Sequence, residues 1–322
     1  MDSSSSEQLL TLTPSPHVRH KNSTRTVMLK VLIALTPALI WGVIKNGFYA
    51  LLLTAVAVSM CILFEFFFQL IARKPITVSD LSAAVTGVLL AFNVPGTFSP
   101  IYLTFGCFFA IVIVKQLFGG IGKNVVNPAM AARVFMFISW PTKITKLDSV
   151  SSATPLEAIE SGKELSYTVL DTFLGNVPGC IGEVSALLLI IGGLFLLISK
   201  TITWHIPVSY LGTVAIFALI FPFEGLTMAQ SVGYHLFSGG LMLGALFMAT
   251  DYTTSPVTPI GRIIFGVGCG LITVLIRYCG AYAEGVSFAI LIMNLLVWYI
   301  DKLTTPKVFG SKKQKGVDSN VG

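Results

Sequence analysis

The sequence predicts an all-α integral membrane protein with about ten transmembrane helices in two inverted five-helix repeats. Three observations predict this fold class. Of the 322 residues, 54% are hydrophobic and only 11% are charged, whereas soluble domains carry about 25% charged residues. The apolar residues form blocks suited to membrane helices. The two halves of the chain also resemble each other in sequence and in the order of their blocks.

The apolar blocks number ten, five in each half of the chain. They cover residues 27–44, 48–72, 81–94, 101–117, 125–141, 184–199, 206–223, 231–249, 260–276 and 285–300. A helix that spans the hydrocarbon layer needs about 20 residues. The third block of each half has an apolar core of only 14 residues, Leu81 to Val94 and Leu236 to Ala249. We therefore expect the third helix of each half to be broken.

An internal repeat relates the two halves at a nearly constant offset. The clearest match pairs LLAFNVPGTFSPIYLTFG (89–106) with LFMATDYTTSPVTPIGRIIFG (246–266), which sets Asn93 over Asp251. Because five crossings reverse the direction of the chain, two such repeats have opposite orientations in a membrane. Short, polar-interrupted helices at matching places of inverted halves indicate a binding site near the midplane.

The distribution of lysines and arginines along the sequence predicts the orientation of the chain in the membrane. With a cytoplasmic N-terminus, fifteen of the 21 flank the cytoplasmic side, five fall outside, and Arg133 lies within a block. The positive-inside rule then gives a multi-pass protein of the cell inner membrane with both termini cytoplasmic. The same distribution argues against nucleic-acid binding, because the basic residues follow the spans. The chain divides into a cytoplasmic tail (1–26), a first repeat (27–141), an extracytoplasmic loop (142–183), a second repeat (184–300) and a basic cytoplasmic tail (301–322).

A glycine- and asparagine-rich stretch interrupts the apolar sequence before the fifth block. Gly119, Gly120 and Gly122 permit backbone conformations that other residues avoid. Asn124 and Asn127 each carry an amide that donates and accepts, which suits the edge of a flat heterocycle. The alternative is a loop that caps the next helix, with Asn127 as N-cap before a proline at the first helical position.

Charged residues inside apolar blocks are expensive and usually face the bundle interior. Arg133 lies one turn into the fifth block, Glu65 lies deep in the second, and Asp80 and Asp251 border the third block of the two halves. Each acid fits an ion pathway or a structural bridge to an arginine. The four histidines and five cysteines show no metal-ligand spacing, so we expect no metal site in this chain.

The stretch DSVSSATPLEAIESGKEL (148–165) is the main hydrophilic insert between apolar blocks, and the charge count places it outside the membrane. It contains Thr154 but no histidine or cysteine that would activate the hydroxyl of that residue. Thr154 is therefore either modified by another enzyme or not modified.

Three motifs together resemble one family. VSSATPLEAIE (150–160), VKQLFGGIGKNVVNPAMAARVFMFISWP (114–141) and LFMATDYTTSPVTPIGRIIFGVGCGLITVLIR (246–277) are similar to the D subunits of Rnf complexes, which are ion-translocating ferredoxin:NAD⁺ oxidoreductases. They resemble, more distantly, the B subunits of Na⁺-translocating NADH:quinone oxidoreductases. The resemblance runs in the same order from about residue 20 to residue 309.

The resemblance implies FMN bound through a phosphoester to a threonine of a Ser-Gly-Ala-Thr-like motif, attached by a separate flavin transferase. Thr154 matches that threonine, with Ser151, Ser152 and Ala153 before it. Ser152 stands where glycine is usual. The resemblance also implies a non-covalent riboflavin toward the cytoplasmic side, for which Asn124 and Asn127 match the paired asparagines of the quinone-reducing relatives. We add as candidate residues around that second flavin Gly119, Gly120, Gly122, Arg133 and Asp251.

The implied function is electron relay within an ion-pumping ferredoxin:NAD⁺ oxidoreductase, coupled to Na⁺ or H⁺ translocation. The chain shows no nicotinamide-binding fingerprint, so we expect a redox subunit that is not catalytic alone. Its expected partners are other Rnf subunits, including a second FMN-carrying subunit and membrane iron–sulfur subunits. Two alternatives are a solute channel or secondary transporter, which inverted repeats with broken helices also suit, and a quinone-reducing subunit.

Overall fold

A computed structural model describes residues 23–145, 154–160, 167–183, 185–223, 225–280 and 285–306. Over those ranges the chain is helical, and the strand-like pairing they contain is one isolated antiparallel bridge between Pro95 and Cys180. The all-α fold class is thus confirmed. The predicted FMN-motif residues Ser151, Ser152 and Ala153 lie outside the described ranges.

Fourteen α-helices are found in the described ranges, with three 3₁₀ or π segments between them. The helices are α1 Thr24–Asn46, α2 Phe48–Ile71, α3 Ser82–Phe92, α4 Pro100–Phe108, α5 Pro128–Ser139, α6 Pro141–Thr145, α7 Pro155–Glu160, α8 Val169–Leu174, α9 Ala186–Ile198, α10 His205–Ile220, α11 Met228–Phe237, α12 Leu241–Leu243, α13 Pro259–Cys279 and α14 Val286–Thr304. A 3₁₀ turn covers Val78–Asp80, and π-helical segments continue α4 over Phe109–Gln116 and α12 over Gly244–Met248.

Four of these helices, α1, α2, α13 and α14, are long and apolar enough to cross a membrane alone. A fifth candidate span is the pair Met228–Phe237 and Leu241–Met248, whose axes are bent by 60° at the break. This pair coincides with the predicted broken third helix of the second half. Five further apolar helices are shorter, so the count of ten spans stays a prediction.

Left-handed backbone precedes the short inner helix in each half. Leu81, just before α3, has φ 65°, and Gly240, just before α12, has φ 66°. A left-handed residue ends any preceding helical hydrogen-bond ladder, and leucine adopts this conformation at a cost that glycine avoids. Helix α3 then runs for 11 residues, all of them buried.

The break between α11 and α12 leaves backbone carbonyls without helical partners, and Arg277 on α13 supplies donors to them. Its Nη1 donates to the His235 carbonyl at 2.6 Å, and its Nη2 donates to the Ser238 carbonyl at 3.1 Å. In an apolar medium each unpaired carbonyl is costly. A buried arginine at this position therefore stabilises the broken helix.

Helices pack in the same order in both halves. Helix α2 contacts α3 and α4, and α10 contacts α11 and α13, while α1 against α9 and α5 against α14 join the two halves. Glycines allow close approach at these contacts. A Cβ built on Gly87 of α3 would lie 2.8 Å from the Cα of Val58 on α2, and one on Gly192 of α9 would clash with the carbonyl oxygen of Ala34 on α1.

A short extended segment before α9 forms hydrogen bonds with the backbone at the C-terminal end of α3. The N–H of Ile181 donates to the carbonyl of Val94 at 3.1 Å, and the N–H of Gly182 donates to that of Phe92 at 3.0 Å. The backbone groups at the end of this buried helix are thereby satisfied. The same pairing carries Glu183 into the protein interior.

Candidate functional site

A cavity of about 760 Å³, including its mouth, lies between the two halves of the chain. It is at the end of the bundle where α1 and α3 begin and α9 ends. Its described lining consists of Val27, Met28, Val31, Ser82, Val85, Thr86, Leu89, Lys115, Ile121, Asn124, Asn127, Pro128, Ala129, Leu196, Thr201, Ile202, Phe247, Thr250, Asp251, Tyr252 and Thr253.

Asn124 presents an unpaired polar atom at this cavity. Its Oδ1 is buried and accepts no hydrogen bond from the described part of the chain. A buried carbonyl oxygen without a donor costs about 1–3 kcal/mol. A ligand with an N–H or O–H group beside Asn124 would remove that cost.

The three predicted glycines act through the backbone. Gly119, Gly120 and Gly122 have φ of 114°, 91° and 84°, all in the region that favours glycine. The N–H of Gly120 donates to the Lys115 carbonyl at 3.0 Å and so ends the preceding π-helical segment. None of the three lines the cavity, so their role is to turn the chain that carries Asn124.

Asn127 is the N-cap of α5, which is the structural alternative that the sequence left open. Its Oδ1 accepts the N–H groups of Ala129 and Met130 at 3.0 and 3.3 Å, and its Nδ2 donates to the Met248 carbonyl at 3.2 Å. The side-chain oxygen of Asn127 is thus used by the helix, and one of its two amide N–H groups is used by the Met248 carbonyl. The second amide N–H is left for a ligand. The two asparagines therefore differ in what they can offer.

Asn294 on α14 supports the same region and was not predicted. With its amide oriented to satisfy both neighbours, its nitrogen donates to the Thr254 carbonyl at 3.0 Å and its oxygen accepts the N–H of Asn127 at 3.0 Å. It thus ties the loop after Met248 to the start of α5. The signal available in the sequence is a lone asparagine in the apolar run LIMNLLVW.

Arg133 does not line the cavity. It is buried, and its Nη1 contacts the Glu183 carboxylate at 2.8 Å and also donates to Asn93. This interior position agrees with the expectation for a charge within an apolar block. Its partner Glu183 comes from the segment before α9 and was missed, because the sequence places that residue in a loop.

Asp251 lies in the cavity wall at the turn after Met248. Its Oδ1 accepts the N–H of Thr253 at 3.2 Å, and its Oδ2 accepts the hydroxyls of Thr253 and Thr254 at 3.0 and 3.4 Å. Asp80 has a related local role, since its Oδ1 accepts the N–H and the hydroxyl of Ser82 at 2.8 and 2.6 Å. Both acids therefore fix turns next to the cavity.

Glu65 and Lys115 form a buried ion pair at the cavity wall, where Lys115 belongs to the lining. The Lys115 Nζ lies 2.8 and 3.0 Å from the two carboxylate oxygens and 2.6 Å from the Ser82 hydroxyl. The side chains are 1% and 2% exposed. The distribution of positive charges along the sequence places Lys115 at the cytoplasmic flank, but it belongs to the protein interior.

Thr154 caps the short helix α7. Its Oγ1 accepts the N–H of Glu157 at 3.3 Å, and its own N–H donates to the Glu157 carboxylate at 3.1 Å. This reciprocal pair is a capping box. It holds the Thr154 hydroxyl in one orientation at the start of the helix, and an ester oxygen at the same position can still accept the Glu157 N–H.

Known sequences decide the family. Residues 11–310 match the family described as NQR2, RnfD, RnfE. The chain belongs to this family. It is 48% identical over 316 residues to the D subunit of the Na⁺-translocating ferredoxin:NAD⁺ oxidoreductase complex of Acetobacterium woodii, covering 95% of this chain and 97% of the relative.

Two further members of the NQR2, RnfD, RnfE family show the same full-length similarity. The D subunit of the proton-translocating ferredoxin:NAD⁺ oxidoreductase complex of Clostridium ljungdahlii is 39% identical, covering 95% of this chain and 98% of the relative. The D subunit of the ion-translocating oxidoreductase complex of Aliivibrio salmonicida is 34% identical, covering 94% and 99%. Membership of this family and several apolar spans together identify a multi-pass membrane protein.

Metal-binding clusters are not a feature of the described part of the chain. No group of three or more histidine, cysteine, aspartate or glutamate side chains is close enough there to hold an ion. The candidate site is therefore the cavity with Asn124 and Asp251, together with the Thr154 hydroxyl.

Proposed function

We propose that this chain is the membrane-embedded RnfD-type component of an ion-translocating ferredoxin:NAD⁺ oxidoreductase and relays electrons through two flavins. One is FMN, joined by a phosphoester to Thr154, and the other is a riboflavin held without a covalent bond in the cavity. The electron flow is coupled within the complex to Na⁺ or H⁺ translocation. The full-length similarity to components of such complexes supports the assignment.

The observation that carries the riboflavin proposal is the unpaired Oδ1 of Asn124 at the cavity between the two halves of the chain. A flavin ring edge carries both donors and acceptors, so its N–H matches this oxygen. The remaining N–H of Asn127 offers a donor nearby. The apolar walls exclude water from a bound ring, and the flavin supplies the electron-transfer chemistry when it is bound.

The FMN proposal depends on Thr154 and its motif. The capping box with Glu157 presents the hydroxyl oxygen in a defined place. A separate flavin transferase makes the phosphoester, since the stretch 148–165 contains no histidine or cysteine to activate this threonine. The other subunits of the complex, including a second FMN-carrying subunit and membrane iron–sulfur subunits, deliver and accept the electrons, so the chain is not catalytic alone.

We further propose that the ten apolar blocks form two inverted repeats in the inner membrane, with both termini cytoplasmic and 142–183 outside. The matched packing of α2 with α3 and α10 with α11 supports this arrangement. Reporter fusions after residue 165 and after residue 306 test it. Activity of a periplasmic reporter at the first position alone is expected, and activity at the second position contradicts the topology.

Replacement of Asn124 tests the riboflavin site. Asn124→Ala removes the oxygen that a ligand would satisfy, so the releasable riboflavin per protein should fall by roughly tenfold, as one lost buried hydrogen bond implies. Released flavin is measured by chromatography after denaturation. The control is Asn176→Ala, at an exposed position outside the cavity. Asn127→Ala is a poorer test, because it also uncaps α5. An unchanged riboflavin content in Asn124→Ala would refute the assignment.

Replacement of Thr154 tests the covalent flavin. Protein co-expressed with its flavin transferase should fluoresce in a denaturing gel, and Thr154→Ala should abolish the fluorescence. Thr154→Ser is the matched control, since it keeps the hydroxyl and the helix cap. Fluorescence that persists in Thr154→Ala would exclude this attachment site.

A solute transporter is the second candidate function, favoured by the 60° break between α11 and α12. Broken helices at a repeat interface are typical of secondary transporters. The two functions differ in their need for flavin. A wild-type protein that carries neither flavin would favour transport, and one that carries both would exclude a simple transporter.

A further inference from the structure

The charge inside the cavity is set by two side chains of its described lining, Lys115 and Asp251. Lys115 is already neutralised. Its three N–H groups are used by the two carboxylate oxygens of Glu65 and by the hydroxyl of Ser82. A ligand in the cavity therefore finds no available donor on this lysine.

Asp251 is not neutralised in the same way. Its oxygens accept hydrogen bonds from the uncharged groups of Thr253 and Thr254. The two ion pairs of the described residues join Lys115 to Glu65 and Arg133 to Glu183, and neither involves Asp251. Burial raises the pKa of the Asp251 carboxyl above its ordinary value, while the hydrogen bonds from Thr253 and Thr254 favour the ionised form, in which this side chain adds a negative charge to the cavity wall.

Helix N-termini would otherwise attract an anion at this site. Three helices, α1, α3 and α5, begin at the cavity, and each is capped by the protein itself. At α1, the side-chain oxygen of Ser23 accepts the N–H of Thr26 at 3.3 Å. At α5, the side-chain oxygen of Asn127 accepts the N–H groups of Ala129 and Met130. At α3, Asp80 accepts the N–H of Ser82. These donors are not available to a phosphate.

We propose that Asp251 is a specificity-determining residue, which makes the cavity select an uncharged flavin and reject a phosphorylated one. The inference rests on the proposed function, since it assumes that a flavin occupies the cavity. A terminal phosphate carries nearly two negative charges at neutral pH. Repulsion from one carboxylate in such surroundings changes a binding ratio by a factor on the order of ten to a hundred.

Asp251→Asn tests this inference, because the amide keeps the shape of the side chain and removes its charge. Non-covalent flavin is released from purified protein by denaturation, and riboflavin and FMN are separated by chromatography. The wild type should release riboflavin almost alone, and the FMN-to-riboflavin ratio should rise at least about tenfold in Asp251→Asn. The matched control is Asp171→Asn, which removes a carboxylate charge at the first turn of α8, outside the cavity lining, and should keep the wild-type ratio.

A second measurement uses wild-type protein and needs no variant. Riboflavin-depleted protein is titrated with riboflavin or with FMN, and quenching of flavin fluorescence reports binding. We expect riboflavin to bind at least about tenfold more tightly. Equal affinities, or an unchanged released ratio in Asp251→Asn, would overturn the role of Asp251 while leaving the flavin site intact. Failure of the wild type to release or bind either flavin would instead overturn the proposed function, and this inference with it.

Discussion

Loss of the Glu65 carboxylate should strongly destabilise the protein. Glu65 accepts hydrogen bonds from Lys115 at 2.8 and 3.0 Å and from Gln116 at 2.7 Å, with 1% of its side chain exposed. Glu65→Ala leaves the lysine charge buried and unpaired. Removal of one partner of a buried pair costs about 3–5 kcal/mol, whereas an exposed pair is worth roughly 0–1 kcal/mol.

Unfolding of the purified protein in mixed micelles of increasing SDS fraction measures this cost. The free energy of unfolding of Glu65→Ala should fall by about 3 kcal/mol or more. The double variant Glu65→Ala and Lys115→Met is the control, because it removes the unpaired charge and should recover much of the loss. A single-variant change under about 1 kcal/mol, or no recovery in the double variant, would refute the reasoning, since the pair would then behave like a surface ion pair.

Two further predictions concern helix packing. Arg277→Gln should lower the free energy of unfolding by about 2 kcal/mol or more, because the carbonyls at the α11–α12 break lose their donors. The control is Arg25→Gln, at an exposed position, which should have little effect on that free energy. Gly87→Ala should lower the free energy of unfolding by about 1–3 kcal/mol, because its Cβ would lie 2.8 Å from the backbone of α2. The control is Gly212→Ala, whose Cβ would meet no atom within 4 Å and which should change that free energy little. SDS unfolding measures both, and equal effects in a variant and its control would contradict the packing argument.

The all-helical class and the broken helix were predictable because they depend on local properties. The 14-residue core of the third block indicated an interruption, and the bent α11–α12 pair lies there. In the first half the matching block is the single helix α3, preceded by Leu81 in a left-handed conformation that nothing in its residue type announces. Helix lengths were misjudged in both directions, since α9 covers 13 residues of a 16-residue block and α13 covers 21 residues where the block has 17.

The site was predictable where a side chain acts on neighbours in sequence and not where it acts across the fold. Asn127 before a proline indicated a helix cap, and the cap is present. Lys115 and Glu65 are 50 residues apart, and no sequence spacing pairs them. Asn294 and Glu183 were missed for the same reason, because their partners Asn127 and Arg133 lie on other helices.

Mass spectrometry of the tryptic peptide from Leu147 to Lys163 tests the central claim most directly. The protein is purified from cells that contain its flavin transferase, and fragmentation locates any added group. We predict an FMN moiety attached through phosphate to Thr154, and the unmodified peptide in Thr154→Ala. A wild-type peptide that carries no flavin, or carries it on another residue, would contradict the account.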